Sequence, residues 1–225
     1  MSSTESTVIE VDTGERVSAL AQSPAEPRAA YVFAHGAGAG MAHPFMVAVA
    51  EGLAALGIAT LRTQFAYMER GSKRPDPPKL AHAVVRAAVA EAARRWPGLP
   101  LAAGGKSFGG RMTSQAEALA HLQGVSSLVF FGFPLHPVGK PAIERAAHLD
   151  AVALPMLFLQ GTRDELADTA LLREVIDRLG ERATLHLVDD ADHAFHVRAK
   201  SGRNDAQVLV GMLDRVAAWL LPAPA

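Results

Sequence analysis

The strongest constraint on this chain is a rhythm of short apolar runs, mostly bounded by glycine or proline, that alternate later on with alanine-rich amphipathic stretches. Eight runs have the length and residue types of strands, at 7–11, 16–21, 29–35, 57–63, 99–105, 125–132, 154–161 and 183–189. Five stretches with i, i+3, i+4 spacing, at about 43–56, 79–96, 109–123, 167–180 and 204–221, are long enough for crossover helices. The first three strands come without intervening helices and the rest alternate with them. The pattern therefore predicts an antiparallel lead-in followed by a doubly wound, mostly parallel sheet of eight (or seven) strands, with helices on both faces. With 225 residues, 49% hydrophobic and 20% charged, the chain suits one α/β domain spanning 1–225. The breaker-rich tracts at 23–28, 68–79 and 132–141 and the terminal "LPAPA" read as loops or tail, not as domain linkers.

A net charge of −1 gives no electrostatic footprint for nucleic acid or an anionic membrane surface, so small molecules or proteins are the expected partners. The absence of cysteine removes disulfides, thiolate metal sites and a cysteine nucleophile. "MSSTESTVIEVDTGE" lacks the basic and apolar regions of a signal peptide, and no apolar run is long enough to span a membrane. A cytoplasmic location is the resulting expectation. Oligomeric state is not legible.

Residues 104–111, "GGKSFGGR", admit two readings. Gly105-Lys106-Ser107 is the tail of a phosphate loop, but the first glycine of G-x-x-x-x-G-K-[ST] would fall on Pro100. The apolar run also continues to Ala103, which leaves no room for a cradle of backbone amides. The second reading is the G-x-S-x-G turn that presents a nucleophilic serine between a strand and a helix. It needs small residues on both sides of the serine, and Gly104, Gly105, Gly109 and Gly110 provide them. The helix that follows would place Ser107 at its N-terminus, where developing negative charge is favoured.

A serine nucleophile of this type needs an acid and then a histidine later in the chain, each just past a strand end. Asp164 follows the run "MLFLQG", and His193 follows "ATLHLVDD". Asp164 would fix the imidazole tautomer, and His193 would take the Ser107 proton and return it to the leaving group. Asp168 is the rival of Asp164 but falls in the predicted helix, and His196 is the rival of His193 but lies farther from the strand end. Asp189, Asp190 and Asp192 read as loop-capping or solvated carboxylates. The other histidines, His35, His43, His82, His121, His136, His148 and His186, form no metal-ligand spacing, so no metal is expected.

The run "YVFAHGAGAG" opens a glycine-rich loop at the sheet edge expected for Ser107, and it makes the backbone amides of Ala37 and Phe108 the expected oxyanion donors. A dinucleotide fingerprint fails there, because Met41 or His43 stands where its last glycine belongs. His35 reads either as a loop pin or as a substrate contact. The loop 64–78 carries Tyr67, Arg70, Lys73 and Arg74, which could receive an anionic substrate or form a solvated basic surface. Lys106 is expected to point away from the nucleophile, as a structural or rim residue. Arg111 opposes the helix dipole and should have a carboxylate partner, which the sequence does not identify. Only about twenty residues separate the strands ending near Gly132 and starting near Pro155, too few for an inserted cap domain. An open site suits short or polar acyl groups, or a peptide surface, better than a long acyl chain.

Together, "FAHGAGAGM", "GGKSFGGRM", "GTRDELA" and "DADHAFHV" resemble the small lidless α/β-hydrolases of the dienelactone-hydrolase-like and testis-expressed α/β-hydrolase-like group. The resemblance runs from about residue 29 to the C-terminus. It implies an α/β-hydrolase fold without a cap and a Ser107, Asp164, His193 triad. Dienelactone hydrolases proper use cysteine as nucleophile, so their particular chemistry does not transfer to a serine. The expected function is that of a cofactor-independent serine hydrolase cleaving a carboxylic ester, thioester or related acyl bond of a small molecule through an acyl-enzyme. The alternative is a non-catalytic scaffold of the same fold, used in protein interaction.

Overall fold

The computed structural model describes residues 2–221; the last four residues of the proline-rich tail lie outside them. Eight strands form one sheet in the order β1-β2-β4-β3-β5-β6-β7-β8. They are β1 (Ser3–Glu10), β2 (Arg16–Ser23), β3 (Ala29–Ala34), β4 (Ile58–Thr63), β5 (Leu101–Lys106), β6 (Val125–Phe131), β7 (Met156–Gly161) and β8 (Ala183–Val188). The β1–β2 and β2–β4 pairs are antiparallel, and every other pair is parallel.

One expectation needs correcting. β3 is not part of the antiparallel lead-in; it lies inside the parallel sheet between β4 and β5. All six of its residues are buried, with Ala30, Val32 and Ala34 on one face and Tyr31 and Phe33 on the other. A continuously apolar strand is stable only where helices cover both faces. β2 alternates instead, burying Val17, Ala19 and Ala21 along one face, and so fits nearer the edge.

The helices divide between the two faces as their apolar stripes require. α1 (Pro44–Ala55) and α6 (Asp205–Leu220) cover one face through Met46, Val49, Leu53, Met212 and Val216. α3 (Pro78–Arg95), α4 (Phe108–Leu119) and α5 (Thr169–Leu179) cover the other through Val84, Ala88, Met112, Ala116 and Leu172. The segment 64–78, read as a loop, contains a short helix, α2 (Ala66–Glu69), and a 3₁₀ segment at Glu144–Ala151 lies between β6 and β7. Among the described residues no cap domain stands above the sheet.

Parallel pairing brings the C-terminal ends of the strands to a common edge, the usual place for a site in an open α/β sheet. Ala34 pairs with Gly105, Lys106 with Phe131, and Gly161 with Val188. His35, Ser107, Gly132, Thr162 and Asp189 therefore all begin loops at one rim. The β5–α4 turn is the tightest of these connections. A Cβ at Gly105 or Gly109 would fall on the Ala34 carbonyl oxygen.

Gly109→Ala is expected to lower the unfolding free energy by about 1–3 kcal/mol, because backbone must move to admit the methyl group. Gly211 lies within α6 with open space at the Cβ position. Gly211→Ala should instead raise stability by about 0.5–1 kcal/mol through helix propensity. Urea unfolding midpoints of the two variants check both signs.

Candidate active site

Ser107 caps α4 in a conformation that side-chain-bearing residues rarely adopt, φ 50° and ψ −115°. Its amide donates to the Phe131 carbonyl at 3.1 Å, and its carbonyl accepts from the Arg111 amide at 3.1 Å. The first bond fixes the turn to β6 and the second starts the helix, so the backbone around Ser107 is over-determined and its hydroxyl projects from the rim.

The structure brings Ser107, His193 and Asp164 together. His193 Nε2 lies 2.9 Å from Ser107 Oγ, and His193 Nδ1 lies 2.7 Å from Asp164 Oδ2. The Asp164 carboxylate is buried and accepts two further hydrogen bonds, from Gln160 Nε2 at 2.5 Å and from the Leu166 amide at 2.8 Å. With Oδ2 as acceptor, His193 carries its proton on Nδ1, which leaves the Nε2 lone pair facing the Ser107 hydroxyl. His196 is elsewhere, exposed and paired through Nδ1 with Asp205 at the start of α6. Asp168 caps α5 by accepting from the Leu171 amide.

The Ala37 amide lies on the loop after β3, and the Phe108 amide opens α4; neither donates to an acceptor among the described residues. A Cβ on the adjacent Gly36 would be 3.8 Å from Ser107 Cβ, so the loop passes directly beside the nucleophile. The loop's shape is set by the segment after β4. His35 Nδ1 donates to the Gly36 carbonyl at 2.7 Å, and His35 Nε2 accepts from the Phe65 amide at 3.1 Å. The Tyr67 hydroxyl accepts from the Gly38 amide, and Gln64 Oε1 accepts from the Met41 amide, both at 2.8 Å.

Three expected substrate contacts are corrected by this network. His35 is fully buried with both ring nitrogens used, and Tyr67 is buried with its hydroxyl committed to Gly38. Arg70 pairs with Asp76 at 2.5 Å and Glu15 at 2.8 Å, and the same Asp76 carboxylate accepts from the Tyr67 amide. These residues hold the loops in place; none lines the cleft at Ser107. Lys73 and Arg74 remain exposed in the neighbouring turn.

Two cations also differ from expectation. Lys106 turns inward: its stem lines the cleft, and its Nζ donates to the His193 carbonyl at 2.5 Å. Burial lowers its ammonium to about 8, against the favourable pull of Asp164 and Asp192. Arg111 has no carboxylate within ion-pair distance among the described residues. It shares a helix face with Ser114 and Gln115, which bond to His148 and His82 respectively. Burial depresses the Arg111 guanidinium, and Arg145 adds to the effect.

The cleft itself holds about 370 Å³ and is walled by Ala37, Phe45, Met46, Leu166 and Ala194, with Ser107 and His193 exposed to it. A second cleft of about 360 Å³, at the opposite ends of the strands beside Trp219, has no titratable side chain among its lining residues. Among the described residues, no group of three or more His, Asp or Glu side chains could hold a metal ion, and no helix is long and apolar enough to cross a membrane.

Sheet order, the turn at Ser107 and the absence of a cap define an α/β-hydrolase fold. The chain belongs to the alpha/beta hydrolase domain family, whose model matches residues 27–221. It is similar to a lidless α/β serine hydrolase from Xanthomonas campestris, with 21% identity over 98% of this chain and 97% of that one, TM-score 0.76. A dienelactone hydrolase from Anabaena variabilis is 20% identical over 97% and 96% of the two chains, TM-score 0.78. An α/β serine hydrolase homologue from Coxiella burnetii is 20% identical over 95% and 97%, TM-score 0.77. At these identities the structural likeness establishes the fold, and family membership supports hydrolase activity in general terms.

The buried His35 has a consequence for acid stability. Burial lowers its pKa to about 4 from an ordinary 6.5. Between these values the unfolded chain binds the proton and the folded chain does not, so the contribution is complete above about 6.5 and is lost as pH falls towards 4. It should reach on the order of 3 kcal/mol, since each unit corresponds to about 1.4 kcal/mol. Chemical unfolding at a series of pH values should show this decline. His35→Ala should start lower and show a flatter slope over the same interval.

Proposed function

We propose that this protein is a serine hydrolase that cleaves a carboxylic ester, thioester or related acyl bond of a small molecule through an acyl-enzyme. The observation that carries the reading is the unbroken chain from Ser107 Oγ through His193 to Asp164, with contacts of 2.9 Å and 2.7 Å. A neutral imidazole with Nε2 free can accept the serine proton as Oγ attacks the acyl carbon. Asp164 keeps the tautomer and stabilises the imidazolium that forms. The carbonyl oxygen becomes an oxyanion, received by the Ala37 and Phe108 amides. Collapse of this intermediate breaks the bond to the leaving oxygen or sulfur, which takes the proton from Nε2. Water then attacks the acyl-serine, giving its proton to Nε2, and a second collapse frees the acid and restores the Ser107 hydroxyl.

The cleft's size and apolar walls favour short acyl or alcohol groups. Its position on an uncapped rim leaves the remainder of a substrate in water. That arrangement accepts a polar or bulky portion outside the cleft without requiring a lid to open.

A fluorophosphonate probe should label the native protein on Ser107 and leave Ser107→Ala unlabelled. His193→Ala should lower turnover of a short-chain ester by roughly 10³-fold or more, while His196→Ala retains most of it. The opposite order would assign the base to His196. Absence of labelling on the native protein would favour the scaffold reading.

A further inference from the structure

Three titratable side chains line the cleft: His43, Lys106 and His193. His193 is used in the proposed reaction, and His43 caps α1 by accepting from the Phe45 amide. Lys106 has no place in that cycle, although it directly precedes the nucleophile. Burying an ammonium is costly unless something specific receives it. Here the receiver is the His193 carbonyl at 2.5 Å, assisted by the faces of Phe195 and Phe45, whose ring centroids lie 5.2 Å and 5.9 Å from Nζ. Space for this arrangement is kept by Gly132, where a Cβ would lie 2.9 Å from Lys106 Nζ and 3.4 Å from His193 Nδ1.

The segment bearing His193 needs such an anchor. It is an irregular loop between β8 and α6, with Asp190 and Phe195 both at positive φ, 58° and 63°. The Asp192 carboxylate holds the amides of Ala194 and His196. The His193 carbonyl is held by Lys106, from the end of β5. Consecutive residues thus grip both ends of His193: Ser107 meets the ring at Nε2, and Lys106 holds the main chain.

We propose that Lys106 is a positioning residue whose ammonium ties the His193 backbone to the strand carrying Ser107, keeping the imidazole within reach of the nucleophile. The inference rests on the hydrolytic reading of Ser107, His193 and Asp164. The titratable groups around the ammonium are Asp164 from the β7–α5 turn, Asp192 and His193 from the β8–α6 loop, and His43 on the α1 side of the cleft. The two carboxylates favour the cation and burial opposes it, with the balance near pH 8. A charge-assisted hydrogen bond is roughly twice as strong as a neutral one. The anchor should therefore weaken as the ammonium loses its proton.

The test compares the native protein with Lys106→Met and Lys106→Arg, using a short p-nitrophenyl ester and the downfield proton resonance of His193 Nδ1–H, assigned by its loss in His193→Ala. Lys106→Met keeps the apolar stem without the donor. Its kcat should fall roughly 10–100-fold, as expected for slight misplacement of a catalytic group, with KM changed far less. Its Nδ1–H resonance should broaden as the ring becomes mobile. Native kcat should decline as pH rises through about 8, whereas Lys106→Arg, which stays charged, should hold its rate to higher pH. Unchanged kcat and a sharp resonance in Lys106→Met would overturn the proposal. If that variant does not fold, the pH profile decides: coincident alkaline limbs for the native protein and Lys106→Arg would equally overturn it. A native protein that neither hydrolyses esters nor takes the fluorophosphonate would remove the hydrolytic reading instead, and the resonance would still report whether Lys106 holds the ring.

Discussion

The site depends on one close approach, where the β5–α4 turn packs against the end of β3. Gly105 and Gly109 lie so near the Ala34 carbonyl that neither position has room for a methyl group. This contact determines three things together. It lets α4 begin immediately after the strand, it holds Ser107 in its disfavoured backbone conformation, and it brings the loop after β3 alongside the nucleophile at Gly36. The strain at Ser107, typically about 1–3 kcal/mol for such a residue, persists because packing on both sides leaves the turn no relaxed alternative. The bond from the Ser107 amide to Phe131 closes the remaining freedom.

The loop after β3 contains too many glycines to hold a shape by itself, so its geometry is imposed by the segment after β4. His35, Gln64, Tyr67 and Asp76 form a connected set in which each side chain satisfies a backbone group of one loop or the other. Polar groups buried in this way must be satisfied, and when they are they specify one arrangement. The consequence for function is indirect. Tyr67 and Arg70 carry groups that would suit substrate recognition, yet the Tyr67 hydroxyl is committed to Gly38 of the loop after β3, and Arg70 is committed to Glu15 and to Asp76, which holds the Tyr67 amide.

Much of this was legible in the sequence, for identifiable reasons. The strand and helix periodicities are local, so all eight strands and five long helices could be located and a doubly wound, mostly parallel sheet followed from their order; the α/β-hydrolase fold itself came from the resemblance carried by the motifs around Gly36, Ser107, Asp164 and His193. The glycines around Ser107 and the strand-end positions of Asp164 and His193 carry the spatial argument in linear form, because parallel strands end at one rim. What could not be read depends on side-chain direction or distant pairing. Lys106 looked like an outward residue because a sharp turn usually splays its flanks. Its inward course depends on the space left by Gly132 and on a carbonyl 87 positions away. Arg70 looked available because its partners, Glu15 and Asp76, lie on either side of it in the chain with no pattern to mark them. β3 looked like the third strand of an antiparallel start because only its uninterrupted apolar character, and not its spacing, marks it as central.

Gln160 carries the same lesson into the energetics of the site. It is fully buried in β7, with nothing in its neighbourhood of the sequence to separate it from a core residue. Its Nε2 donates to Asp164, while its Oε1 is buried without a partner among the described residues. An unsatisfied buried acceptor costs about 1–3 kcal/mol, and a leucine of similar size would avoid that cost. The reverse amide orientation would place Oε1 against a carboxylate, so the orphaned oxygen is the necessary counterpart of a donor aimed at Asp164. With the Leu166 amide and His193, that donor completes the hydrogen bonding of a carboxylate shut away from water. Fold stability alone would favour an apolar side chain at position 160; the buried acid explains the glutamine.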